Sequence, residues 1–124
     1  MNKQEFIDAI KPQLKEIGYR KNGNYWYKEG ADLICCINVQ GSQWSADDYY
    51  VNIGFSLPSK TKNNPTLLHW YCRRRCIGEH GDVNISLTDF FSEYCNLFNA
   101  IQSFEQLSAF LTKNAQKVCS QYWF

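Results

Sequence analysis

Tyr49-Tyr50-Val51-Asn52-Ile53-Gly54-Phe55-Ser56-Leu57 is the stretch that decides the fold. Tyr49, Val51, Ile53, Phe55 and Leu57 fall on one side of an extended chain, and Tyr50, Asn52, Gly54 and Ser56 on the other. Successive side chains of a strand point to opposite faces, so this period of two describes a half-buried strand. Immediately upstream, Leu33–Gln40 repeats the pattern: Leu33, Cys35, Ile37 and Val39 against Asn38 and Gln40. The polar Gly41–Asp48 segment between them suits a hairpin loop, which makes the pair antiparallel.

Working outward, Tyr25–Glu29 is a short aromatic strand bounded by Asn22-Gly23 and Gly30. Downstream, Pro58 ends the long strand and Ser59–Pro65 is a polar loop, the segment expected to be most mobile. Leu67–Ile77 is expected as a fourth strand, with Leu68, Trp70, Cys72 and Cys76 on one face and His69, Tyr71, Arg73 and Arg75 on the other.

Helices are expected at both ends. Asn2 and Glu5 approximate a capping box, and Phe6, Ile10, Leu14 and Ile17 form an apolar stripe that Gly18 terminates. Pro12 lies inside it and predicts a bend or restart. Thr88 or Asp89 can cap a helix bearing Phe90, Phe91, Tyr94, Leu97 and Phe98. Ser103 with Gln106 opens a last helix carrying Phe104, Leu107, Phe110, Leu111 and Val118, and Tyr122-Trp123-Phe124 is expected to dock on the body. The fold class is therefore α+β, in the order α-β-β-β-β-α-α: one domain, residues 1–124, with a four-stranded antiparallel sheet covered on one face by the N- and C-terminal helices.

Composition bounds the partners. The 124 residues are 44% hydrophobic and 16% aromatic, enough for a ring-rich core. A net charge of +1 supplies no overall field for nucleic acid or an anionic membrane. No run approaches the roughly 18 apolar residues of a membrane span, and MNKQEFIDAIK lacks a signal-peptide core, so the expected location is the cytoplasm. The six cysteines then read as reduced, mostly buried thiols. Cys35 and Cys36 point to opposite faces, while Cys72 and Cys76 are about 13 Å apart along a strand. No CxxC pair, P-loop, GxGxxG, HExxH or GxSxG occurs, so no metal, cofactor or catalytic residue is assigned.

In order along the chain, five stretches resemble an uncharacterised bacterial family, domain of unknown function 4304. They are Gly18-Tyr19-Arg20-Lys21 after the opening helix, Asn24-Tyr25-Trp26-Tyr27, Asn38-Val39-Gln40-Gly41-Ser42 with Trp44, Tyr50-Val51-Asn52-Ile53-Gly54, and Cys72-Arg73-Arg74-Arg75-Cys76-Ile77-Gly78-Glu79. They span most of the first 80 residues. The resemblance implies a compact α/β domain and carries no activity or catalytic residue with it.

The face turned from the helices gathers Asn38, Gln40, Tyr50, Asn52, Ser56, His69, Tyr71, Arg73 and Arg75. Two arginines on one strand face can clamp a carboxylate or phosphate, so Gln40, Asn52, His69, Tyr71, Arg73 and Arg75 are the candidate ligand-binding residues. The competing bland account is an ordinary solvated sheet face, with Arg73 or Arg75 paired to Glu79 or Asp82. His69 and His80 have no acid or nucleophile beside them, and Asp47-Asp48 reads as a turn. The function expected is a non-catalytic binding or accessory module for a small anionic ligand or a protein partner, acting as a monomer or small homo-oligomer. An enzyme of unfamiliar type acting on a small anionic substrate, or a single-stranded RNA-binding sheet, are the alternatives. The charge balance argues against nucleic acid.

Overall fold

The computed structural model describes residues 1–45, 47–58, 64–78, 81 and 83–113. Helix α1 (Lys3–Glu16) is opened by the expected capping box: Glu5 N–H donates to Asn2 Oδ1 at 2.9 Å and Asn2 N–H to Glu5 Oε1 at 3.0 Å. Pro12 does not restart the helix, which is continuous to Glu16; the residue lies on the exposed side, where water can serve the carbonyl that lost its donor. Gly18, at φ +100°, ends the helix and turns the chain toward the sheet.

The sheet has five strands, not four: β1 (Arg20–Asn22), β2 (Tyr25–Glu29), β3 (Ile34–Gly41), β4 (Tyr49–Ser56) and β5 (Cys72–Cys76), antiparallel and in sequence order across the sheet. The added strand is short and polar, so its composition looks like a loop. Its partner gives it away: Asn22 pairs with Tyr25 across a two-residue Gly23-Asn24 turn. Gly23 has φ +64°, the conformation a type II′ hairpin requires at that position.

The register fixes the two faces. Trp26, Ile37, Ile53 and Arg74 form one cross-strand row, and Tyr25, Asn38, Asn52 and Arg75 the next. The first face is the core. Cys35, Ile37, Val39, Tyr49, Val51, Ile53, Phe55, Cys72 and Cys76 are buried there. Over them lie Phe6, Ile10 and Leu14 of α1 with Phe90, Tyr94 and Phe98 from the C-terminal helices. Ring contacts join the layers, with centroids 4.8 Å apart for Phe6–Tyr49 and 5.5 Å for Phe55–Phe98. Each fully buried large side chain contributes about 1.5–3 kcal/mol, so this face holds the fold.

The C-terminal helical stretch starts two to three residues earlier than expected. Ser86, not Thr88 or Asp89, is the cap; its Oγ accepts from Asp89 N–H at 3.1 Å ahead of α2 (Leu87–Asp89). The chain then widens into a π-helical turn, Phe90–Cys95, before α3 (Asn96–Asn99). Within it, the Tyr94 hydroxyl accepts from Ile77 N–H (3.1 Å) and donates to Ile77 C=O (2.9 Å), tying the helix to the end of β5. Helix α4 (Phe104–Lys113) opens as expected, with Gln106 N–H donating to Ser103 Oγ at 3.1 Å. The expected docking of Tyr122-Trp123-Phe124, with Val118 and Cys119, lies outside the described residues, as do most of the Ser59–Pro65 loop and Glu79, His80 and Asp82.

The fourth-strand expectation needs the largest correction. Leu67–His69 is a 3₁₀ turn, and the strand begins only at Cys72. A turn breaks the period of two, so Leu68 and Trp70 do not share the face of Cys72 and Cys76. Leu68 is 87% exposed, while Trp70 is buried on the opposite face of the sheet with Tyr27, Ile34 and Cys36.

Candidate functional site

The second face is divided into a covered half and an open half. The covered half is built by the 64–70 segment. Pro65 C=O accepts from the Tyr27 hydroxyl (2.9 Å) and from Trp70 Nε1–H (3.2 Å), and Leu67 N–H donates to the Tyr25 hydroxyl (3.3 Å). Gly54 makes the arrangement possible. A Cβ there would lie 2.2 Å from Cys72 O and 3.0 Å from Trp70 Cε3, so the indole rests on bare backbone. At the margin, Arg20 forms an ion pair with Glu29 at 3.0 Å and sits over the Tyr27 ring at 4.8 Å. Burial pushes the Tyr27 hydroxyl up to about 12, reinforced by Cys36 and Tyr25 and opposed by Arg20.

The open half is a ladder of carboxamides. Asn52, 1% exposed, donates through Nδ2 to Asn38 Oδ1 and to Gln40 Oε1, both at 3.2 Å. Asn38 Nδ2 donates to Asn24 C=O at 3.4 Å. Gln40 itself is exposed, with its Oε1 held by Asn52. Across from Asn52 on β5 stands Arg75, its guanidinium carbon 4.4 Å from the centroid of the Tyr50 ring. Arg75 is exposed, and among the described residues no carboxylate pairs with it. Trp44, 85% exposed, overhangs this end, its N–H held by Ser42 Oγ at 3.1 Å.

Two adjoining hollows share Gln40 and Gly41. One, of about 360 Å³, lies between Trp44, Tyr50 and Arg75; the other, of about 530 Å³, runs past Asn38 and Tyr25 to the wall formed by Thr66 and Leu67. Both are open grooves. The arrangement offers fixed N–H donors and aromatic walls to a group that accepts hydrogen bonds.

Of the six sequence candidates, Gln40, Asn52 and Arg75 come together here. Arg73 follows on the same face, half-buried opposite Gly54. His69 does not join them: its Nδ1 lies 3.0 Å from Thr66 Oγ1 and 3.3 Å from Thr66 N, closing the 3₁₀ turn. Tyr71 is also elsewhere, its ring edge-on to Phe104 of α4 at 5.7 Å. The site residue missed by sequence reasoning is Trp44, for which a tryptophan inside an otherwise polar hairpin loop was the available signal.

Five cysteines, Cys35, Cys36, Cys72, Cys76 and Cys95, are buried free thiols. Burial pushes Cys35 and Cys72 up to about 12 and Cys95 to about 11, so they are poor nucleophiles. Among the described residues no group of three or more His, Cys, Asp or Glu is placed to hold a metal ion, and no helix is long and apolar enough to cross a membrane.

No curated protein and no solved structure matches the chain. The family model described as a domain of unknown function, DUF4304, matches residues 10–91, about two-thirds of the sequence, from the middle of α1 through all five strands. The chain belongs to the DUF4304 family.

Proposed function

We propose that this protein is a non-catalytic binding module that takes the carboxylate or phosphate group of a small ligand or protein partner at the open half of the second sheet face. The carrying observation is Arg75: stacked on Tyr50, exposed, and without a described carboxylate partner. A guanidinium held against a ring keeps its donors oriented at little entropic cost on binding. Gln40 adds an amide donor set by Asn52, and Trp44 provides an apolar wall. Openness favours recognition over catalysis, which usually proceeds in an enclosed pocket. The setting we propose is the cytoplasm, supported by the five buried free thiols.

The test is a titration of the full chain with inorganic pyrophosphate and with a tetra-aspartate peptide, following the Arg75 Nε–H and Gln40 Nε2 resonances. A saturable shift with either probe, lost in Arg75→Gln and kept in His69→Gln, is expected. No saturable shift with either, or the same shift in Arg75→Gln, would contradict the reading.

A further inference from the structure

A separate groove, on the helix-covered side of the sheet, lies between α1 and the hairpin edge. Lys11, Lys15, Tyr19, Arg20, Lys21 and Trp26 line it, around a volume of about 310 Å³. That volume falls at the lower end of small-molecule sites, about 300–1,000 Å³. Lys11 and Lys15 are one helical turn apart and therefore share a face of α1. Both are exposed, and neither has a carboxylate partner among the described residues. Lys21 approaches from β1, with its Nζ donating to Gly23 C=O and standing 5.4 Å from the centroid of the Trp26 ring. Arg20 contributes no charge here, because its guanidinium is on the other face with Glu29 and Tyr27.

An independent observation comes from the tryptophan. Trp26 is 1% exposed, and its indole Nε1–H is buried with no hydrogen-bond acceptor among the described residues. Buried donors are almost always satisfied, because an unmet one loses its water and gains nothing. Here the orphan donor belongs to a residue that lines a groove rimmed by three ammonium groups. Its walls are otherwise apolar, made of lysine methylenes and the buried Tyr19 and Trp26 rings.

We propose that this groove is a binding site for a small organic oxyanion with an aromatic body. The oxyanion lies among Lys11, Lys15 and Lys21; as the exposed Lys21 leaves Gly23 C=O for it, the side chain shifts off the Trp26 ring, an oxygen accepts from the uncovered Trp26 Nε1–H, and the ligand ring packs on the lysine stems and Tyr19. Lysine ammoniums suit such a group as mobile point charges. The site is separate from the Arg75 surface and does not depend on it.

The experiment uses ¹⁵N-labelled full-length protein, with the Trp26 indole resonance identified by its loss in Trp26→Phe. Phenyl phosphate and benzoate are the probes, and benzyl alcohol the uncharged comparison. A saturable shift of the Trp26 indole signal is expected with either anion, weakened at least about tenfold in Lys11→Gln/Lys15→Gln through loss of charge-assisted bonds. Both lysines are exposed, so the double variant should fold, as its backbone spectrum will report. The inference is overturned if neither anion gives a saturable shift, if the double variant responds like the parent, or if benzyl alcohol reproduces the effect.

Discussion

Gly54 and Asn52, neighbours but one on β4, show how single positions on the second face carry different burdens. Gly54 holds the Trp70 indole against backbone; a methyl group there would come within 2.2 Å of Cys72 O and 2.8 Å of Arg73 Cα. Gly54→Ala is expected to lower stability by about 1–3 kcal/mol, as overpacking does, measured as a drop in the urea midpoint. An unchanged midpoint would mean that Trp70 is not seated there. Asn52 works through hydrogen bonds: its removal strips the donor from Asn38 Oδ1 and Gln40 Oε1 together. Asn52→Ala should therefore cost about 1–3 kcal/mol and release the Gln40 amide, broadening its side-chain resonances. A sharp, unshifted Gln40 signal would show the ladder to be unimportant.

At the scale of elements, local chemistry made the starts of α1 and α4 and the central strands legible from sequence, whereas the cap of α2 lies at Ser86 rather than at Thr88 or Asp89. The capping box at Asn2, the stop at Gly18 and the alternation of β3 and β4 all came through, because each depends on residues adjacent in the chain. Two elements did not. The short strand β1 is polar on both faces and exists because Gly23 folds it onto β2. Gly23→Val, which strains a φ of +64° and removes the flexible turn, is expected to weaken that hairpin selectively. Amide exchange should accelerate at Arg20–Asn22 and Tyr25–Glu29 while β4 stays protected; uniform acceleration would contradict a local role. The 3₁₀ turn at Leu67–His69 was hidden by apolar residues that imitate a strand, and only the chain's return over Tyr25 and Tyr27 explains it. A third of the candidate site was misplaced for that reason: His69 and Tyr71 were assigned to a face by a period that the turn had already broken. Gln40, Asn52 and Arg75 survived because they lie in uninterrupted strands.

Across the whole molecule, the helices seal one sheet face so completely that ionisation inside it must oppose folding. Burial raises the thiols of Cys35, Cys72 and Cys95 above the ordinary 9.0, to about 12, 12 and 11. The folded state therefore keeps protons that the unfolded chain releases. This contribution is fully present below about pH 9 and is lost as pH climbs through the folded values, so the urea midpoint should fall steadily between about pH 9 and 12. A flat midpoint over that interval would place the thiols in water.

The opposite face, by contrast, exposes Arg75 while Arg74, its neighbour in sequence, turns inward over the Tyr94 ring at 4.9 Å. This contrast allows a direct check of the division between sealed core and open binding surface. Brief phenylglyoxal treatment of the native protein, read residue by residue in a peptide mass spectrum, should modify Arg75 well ahead of Arg74. Equal modification of the two, or faster modification of Arg74, would contradict the assignment of faces from which the proposed binding surface follows.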